Sequence, residues 1–217
     1  MSRASTITAM YDAMHSALGP SRWWPGETPF EVAVGAILTQ NTNWKNVEKA
    51  IANLKERDLL SAEKMYALPQ GELAELIRPA GYYNIKAVRL RNFLEFFRNE
   101  AEFDMEALKV QELDEVREKV LSVKGIGPET ADSILLYALE MPTFVVDAYT
   151  HRLMVRHGLV DEDVDYHELR ALFMDSLPED VALYNEFHAL IVRVGKDWCR
   201  KKAGLCETCP LQPFLDG

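Results

Sequence analysis

An all-α fold is expected for this 217-residue chain, on three observations. Apolar residues recur at helical spacing, as in Leu90, Phe93, Leu94 and Phe97, in Ala131, Ile134, Leu135 and Ala138, and in Leu183, Phe187, Leu190, Ile191 and Val194. Alternating strand patterns are almost absent. Helix starts are legible: Thr28-Pro29-Phe30-Glu31 places a capping residue, a proline at the first helical position and a glutamate three after the cap, which predicts a helix from Pro29 to Thr39. Glu112 to Ser122 reads as another helix. Val123-Lys124-Gly125-Ile126-Gly127 then turns the chain, and Pro128 opens a helix reaching about Glu140. The pattern gives roughly ten helices, with no internal repeat and no low-complexity linker.

Composition narrows the class. At 48% hydrophobic and 27% charged residues the chain is ordinary globular material. Its first ten residues, MSRASTITAM, hold no apolar stretch of signal-peptide length, and the longest apolar run, Val32 to Leu38, is seven residues, so a cytoplasmic protein without membrane contact is expected. The net charge of -10 argues against bulk attraction to nucleic acid, so any such contact must be local. Two basic clusters qualify: Lys86, Arg89 and Arg91, and Arg193, Lys196, Arg200, Lys201 and Lys202 against Asp197. Either can equally be a solvated helix face. Cys199, Cys206 and Cys209 fall within eleven residues, an odd set whose clustering suggests metal rather than disulfide chemistry.

The turn at Gly125 and Gly127 has a chemical reading. Glycines there allow positive φ and leave amide groups uncovered at a helix amino terminus, which makes an anion site for a backbone phosphate. Lys124 adds a point charge. A tight turn between packed helices is the bland alternative. Asp147, before Ala148-Tyr149-Thr150, reads from spacing alone as a helix cap worth about 1 kcal/mol.

Several separated motifs shift these balances. VKGIGPETA at 123–131, the apolar helix after it, Pro142-Thr143-Phe144-Val145-Val146-Asp147, Leu38-Thr39-Gln40-Asn41-Thr42, Gly81-Tyr82-Tyr83-Asn84-Ile85-Lys86-Ala87 and the cysteine tail together resemble the helix-hairpin-helix DNA glycosylases of the endonuclease III superfamily. The resemblance spans nearly the whole chain. It implies that fold, with two helical domains flanking a DNA groove, one of residues 28–140 and one of 1–27 plus 141–217. It implies a nucleoid-associated monomer acting on duplex DNA that contains damaged bases, with Lys124, Gly125, Ile126, Gly127 and Thr130 on the DNA backbone and Gln40 and Tyr82 inserted into the duplex. Asp147 would be the catalytic carboxylate, stabilising positive charge on the sugar as the N-glycosidic bond breaks.

Strand-nicking relatives carry a Schiff-base lysine in the second helix of the motif, where this chain has Glu129. A carboxylate forms no imine, so a monofunctional glycosylase using water is expected, with Lys124 the one nearby amine that would undo this. Trp23-Trp24-Pro25, Trp44 and Arg78-Pro79-Ala80-Gly81-Tyr82-Tyr83-Asn84 look like the 3-methyladenine glycosylase branch. An electron-rich pocket of Trp23, Trp24 and Trp44 favours a cationic alkylated purine. Taken singly, each tryptophan is by default a core residue, but adjacent tryptophans in a loop are harder to bury together. The tail is similar to the family's C-x6-C-x2-C-x5-C ligand set for a [4Fe-4S] cluster, but Leu215 stands at the fourth place, and His188, a histidine for zinc instead, lies outside the spacing. Two other functions compete: a glycosylase and lyase for oxidised pyrimidines, and a non-catalytic helix-hairpin-helix DNA binder.

Overall fold

The computed structural model describes residues 2–21 and 26–215. The chain divides into two units, Trp24–Met141 and, from the two ends, Met1–Trp23 with Pro142–Gly217. The described residues hold twelve α-helices and no named strand, only an isolated bridge between Cys199 and Gly204.

The chain opens with α1 (Arg3–Leu18), which belongs to the unit of the two ends. The other unit is arranged around α2 (Pro29–Thr39), whose residues from Phe30 to Leu38 are all buried. Thr28 caps α2 by accepting from the Glu31 amide at 3.1 Å. The Glu31 carboxylate accepts from the Glu27 amide rather than completing the reciprocal bond to Thr28, and pairs with Lys55 at 3.0 Å. Around α2 stand α3 (Trp44–Glu56), α4 (Ala62–Ala67), α5 (Gln70–Leu76), α6 (Tyr83–Ala101), α7 (Met105–Lys109), α8 (Leu113–Ser122) and α9 (Pro128–Ser133). The predicted helix from Pro128 continues past α9 as one widened π-type segment, Ile134–Ala138, closed by Leu139 N donating to Ile134 O at 3.1 Å. The stripe Leu90, Phe93, Leu94, Phe97 is 0 to 1% exposed, as its spacing requires.

The unit of the two ends packs α1 with α10 (Ala148–Arg156), α11 (Tyr166–Ser176) and α12 (Val181–Asp197). Its core is aromatic: Phe144 stacks on Phe173 at 4.0 Å between ring centroids, and Tyr184 and Phe187 meet Phe144 edge-on. That packing fixes the extended run Thr143 to Val146, all buried, which delivers Asp147 to the start of α10. Helices α10 and α12 approach closely because Gly195 passes against Tyr149, where a Cβ would lie 2.4 Å from the ring. No described helix is long and apolar enough to cross a membrane.

Candidate active site

Four described helices, α7, α10, α11 and α12, start on an aspartate whose carboxylate accepts a backbone amide: Asp104, Asp147, Asp165 and Asp180. Three of them are exposed. Asp147 differs, its side chain only 12% exposed. Its Oδ1 accepts from Tyr149 N at 2.9 Å, Thr150 N at 2.8 Å and the Thr150 hydroxyl at 3.0 Å. Across from Oδ2, at 3.6 Å, stands Nε2 of His188, a buried residue of α12. Burial pushes the Asp147 carboxyl up, but the His188 contact and the Thr150 donors outweigh it and hold the group below its ordinary value. The result is a buried, ionised carboxylate whose cap uses one oxygen.

In the other unit the hairpin runs from α8 through Val123 to Gly127 into α9. A bidentate pair, Arg117 Nε and Nη2 to the two oxygens of fully buried Asp132 at 2.8 and 3.0 Å, ties α8 to α9. Gly125 takes φ 98°, and a Cβ there would lie 2.5 Å from Arg89 Cγ. The carbonyls of the turn are held from behind: Asn92 Nδ2 donates to Lys124 O at 2.8 Å, and Gln40 Nε2 to Gly125 O at 3.2 Å. With Lys124 O and Gly125 O taken up by side chains, two carbonyls that would repel an anion at this turn are engaged. Lys124, Gly127 and Glu129 are exposed.

The positions expected on DNA divide into two sets. Gln40 also donates to Thr130 Oγ1 at 2.9 Å and accepts from Arg89, so its amide braces the hairpin, and its insertion into a duplex would require these bonds to break. Thr130 is 8% exposed and Ile126 6%, and the Ile126 amide donates to Val123 O, so both side chains face the protein. Tyr82 is the opposite case. It is 68% exposed, on a left-handed backbone at φ 46° that costs a tyrosine roughly 1–2 kcal/mol.

The first basic cluster is not a solvated face. Lys86 is 1% exposed, with its ammonium donating to Leu38 O and Ala80 O at 2.8 Å each. Arg91 donates to Tyr66 O and Leu68 O, and Arg89 to Gln40. Trp44, the first residue of α3, is half-buried, while Trp23 and Trp24 lie outside the described residues.

Cys199, Cys206 and Cys209 line one small, partly open pocket together with His157, Arg156 and Leu215. His188, facing Asp147, is not part of it. Arg156 Nη1 donates to Cys199 Sγ at 3.3 Å, and burial pushes the Cys209 thiol up, toward the protonated form. Leu215 offers no donor at the fourth place, and among the described residues no group of three His, Cys, Asp or Glu side chains is arranged to hold a metal ion. The residues present do not complete a four-thiolate set.

Asn92, the packing of Arg89 against Gln40 and Gly125, and the pairing of His188 with Asp147 escaped the sequence reading. Arg89 and Asn92 carried a signal, an i,i+3 polar pair on the helix of the Gly81 motif. His188 carried one too, as the lone polar residue between Phe187 and Val192.

Comparison with known proteins gives this geometry a family. Residues 34–179 match the HhH-GPD superfamily base excision DNA repair protein family. A Methanocaldococcus jannaschii protein named as a DNA repair glycosylase is 49% identical over 96% of this chain and 94% of its own length. Endonuclease III of Thermotoga maritima is 29% identical over 85% of this chain and 81% of its own. The crystal structure of the Helicobacter pylori 3-methyladenine DNA glycosylase bound to 1,N6-ethenoadenine is similar at a TM-score of 0.76 and 31% identity, over 90% of this chain and 98% of that one. A non-covalent endonuclease III-DNA complex shares the fold at a TM-score of 0.82 and 21% identity, over 99% and 96% of the two chains. The chain therefore belongs to the HhH-GPD superfamily of base excision DNA repair proteins and is a DNA glycosylase with the endonuclease III-like fold.

Proposed function

We propose that this glycosylase is monofunctional, releasing alkylated purines such as 3-methyladenine by hydrolysis after base flipping, with Asp147 as its catalytic carboxylate. The observation that carries the reading is a largely buried, ionised Asp147 in one unit; the hairpin helix of the other unit bears Glu129, not an amine, in its first turn. Breaking the N-glycosidic bond puts positive charge on the sugar, and a desolvated carboxylate stabilises that charge more than an exposed one does. Water then adds to the anomeric carbon, passing its proton to the carboxylate or to solvent, and an abasic site remains. An alkylated purine is already cationic, so it leaves without acid catalysis at the base. A similar structure bound to 1,N6-ethenoadenine supports a purine substrate, and Trp44 with Trp23 and Trp24 would supply the stacking surface.

The test uses duplexes carrying a methylated purine or an oxidised pyrimidine, scored for free base and for strand breaks. Free methylated purine without breaks is expected, with Asp147→Asn slower by about 100-fold or more. Strand breaks with a borohydride-trapped adduct, or release of oxidised pyrimidine alone, would replace this reading by that of a glycosylase and lyase.

A further inference from the structure

We infer that His188 is a positioning residue for Asp147, facing the carboxylate oxygen that the helix cap leaves over. The inference rests on the proposed catalytic role of Asp147.

A cap needs one oxygen. Oδ1 of Asp147 takes all three cap donors, and Asp104, Asp165 and Asp180 start their helices while exposed. Capping therefore accounts for Oδ1 but not for a second buried polar residue, brought from α12, opposite Oδ2. The 3.6 Å between Nε2 and Oδ2 is longer than a formed hydrogen bond and short enough for an ion pair. The two oxygens turn together about the Cβ–Cγ bond, so the three cap donors on Oδ1 also fix the direction of Oδ2, which faces His188.

The other ionisable groups around the carboxylate are engaged elsewhere. On α10, Arg152 donates to Gly195 O and Cys199 O, and His151 contacts Glu162 O. From α11, the Tyr166 hydroxyl accepts from the Val146 amide at 3.4 Å. From α1, Tyr11 stacks on His15 and meets Phe187. On α12, Glu186 accepts from the Ser21 amide and hydroxyl, and Lys196 lies two turns beyond His188. Burial alone would raise the Asp147 carboxyl; His188 supplies much of what lowers it. Without His188 the carboxylate would take up its proton at a higher pH.

The experiment is single-turnover release of a methylated purine between pH 3 and 8, with spontaneous release subtracted, by wild type, His188→Ala, His188→Asn and Asp147→Asn, each checked for native circular dichroism across that range. The expected result is an acid limb moved up by at least half a pH unit in His188→Ala, a rate near pH 8 within about 3-fold of wild type, and an intermediate limb in His188→Asn. A limb that stays in place, or a rate lowered equally at every pH, overturns the role of His188 while Asp147→Asn remains inactive. Full activity of Asp147→Asn would instead overturn the catalytic reading beneath it.

Discussion

A lysine ammonium taken out of water is costly, and Lys86, 1% exposed, bridges Leu38 O, near the end of α2, and Ala80 O, before Gly81 and Tyr82. Burial lowers its pKa from 10.5 to about 8, with the Arg89 charge adding to the effect. The sign follows from proton counting. Below about pH 8 folded and unfolded chains both carry the proton; between pH 8 and 10.5 the unfolded chain holds a proton the folded one has shed, so the contribution of Lys86 to stability rises with pH across that window. The neutral amine still has two N–H groups, enough for both carbonyls. Urea unfolding at pH 7.5 and pH 10 should show wild type gaining on Lys86→Met by on the order of 1–3 kcal/mol. A gap that does not change with pH would sink this account.

At the scale of the element, the hairpin contains two glycines that the sequence treats alike and the structure does not. Gly125 needs its left-handed φ and lies against Arg89; Gly127 is extended at φ -94°, with nothing within 4 Å of an added Cβ. The reason was available locally, because a residue before proline is driven to extended backbone. Gly125→Ala should destabilise the protein by about 1–3 kcal/mol. Gly127→Ala should stay within about 1 kcal/mol of wild type in thermal unfolding, yet lose DNA affinity by tenfold or more if a phosphate approaches that open side. Unchanged affinity in Gly127→Ala would remove the amide site. The same contrast shows how far local reading reaches. Thr28 before Pro29 and the stripe along α6 depend on neighbours in sequence, and they were legible. Gln40 against Gly125 and Thr130, and His188 against Asp147, join residues far apart in the chain, and periodicity says which face is covered but not what covers it.

For the whole molecule the question is how a chain with 24 basic and 34 acidic side chains grips a polyanion. The structure makes the problem sharper, because many of its cations are already spent on the protein: Lys86, Arg91, Arg152 and Arg156 on backbone carbonyls, Arg117 on Asp132. Exposed Lys124, the Arg200 to Lys202 run and the scattered Arg3, Lys45, Lys49 and Arg57 remain as local positive charge. Neutral amides and a helix dipole bind phosphate without displacing a full counterion each, so salt sensitivity should report only the few cationic contacts. With about one to three such contacts, log K against log salt should fall with a slope near -1 to -3, measured with an undamaged duplex between 50 and 200 mM salt. Lys124→Ala should make the slope shallower by about one, since one phosphate contact contributes roughly 0.9. A slope steeper than about -6 would mean that the acidic surface hides an extended basic track, and that bulk charge, not the hairpin, carries the affinity.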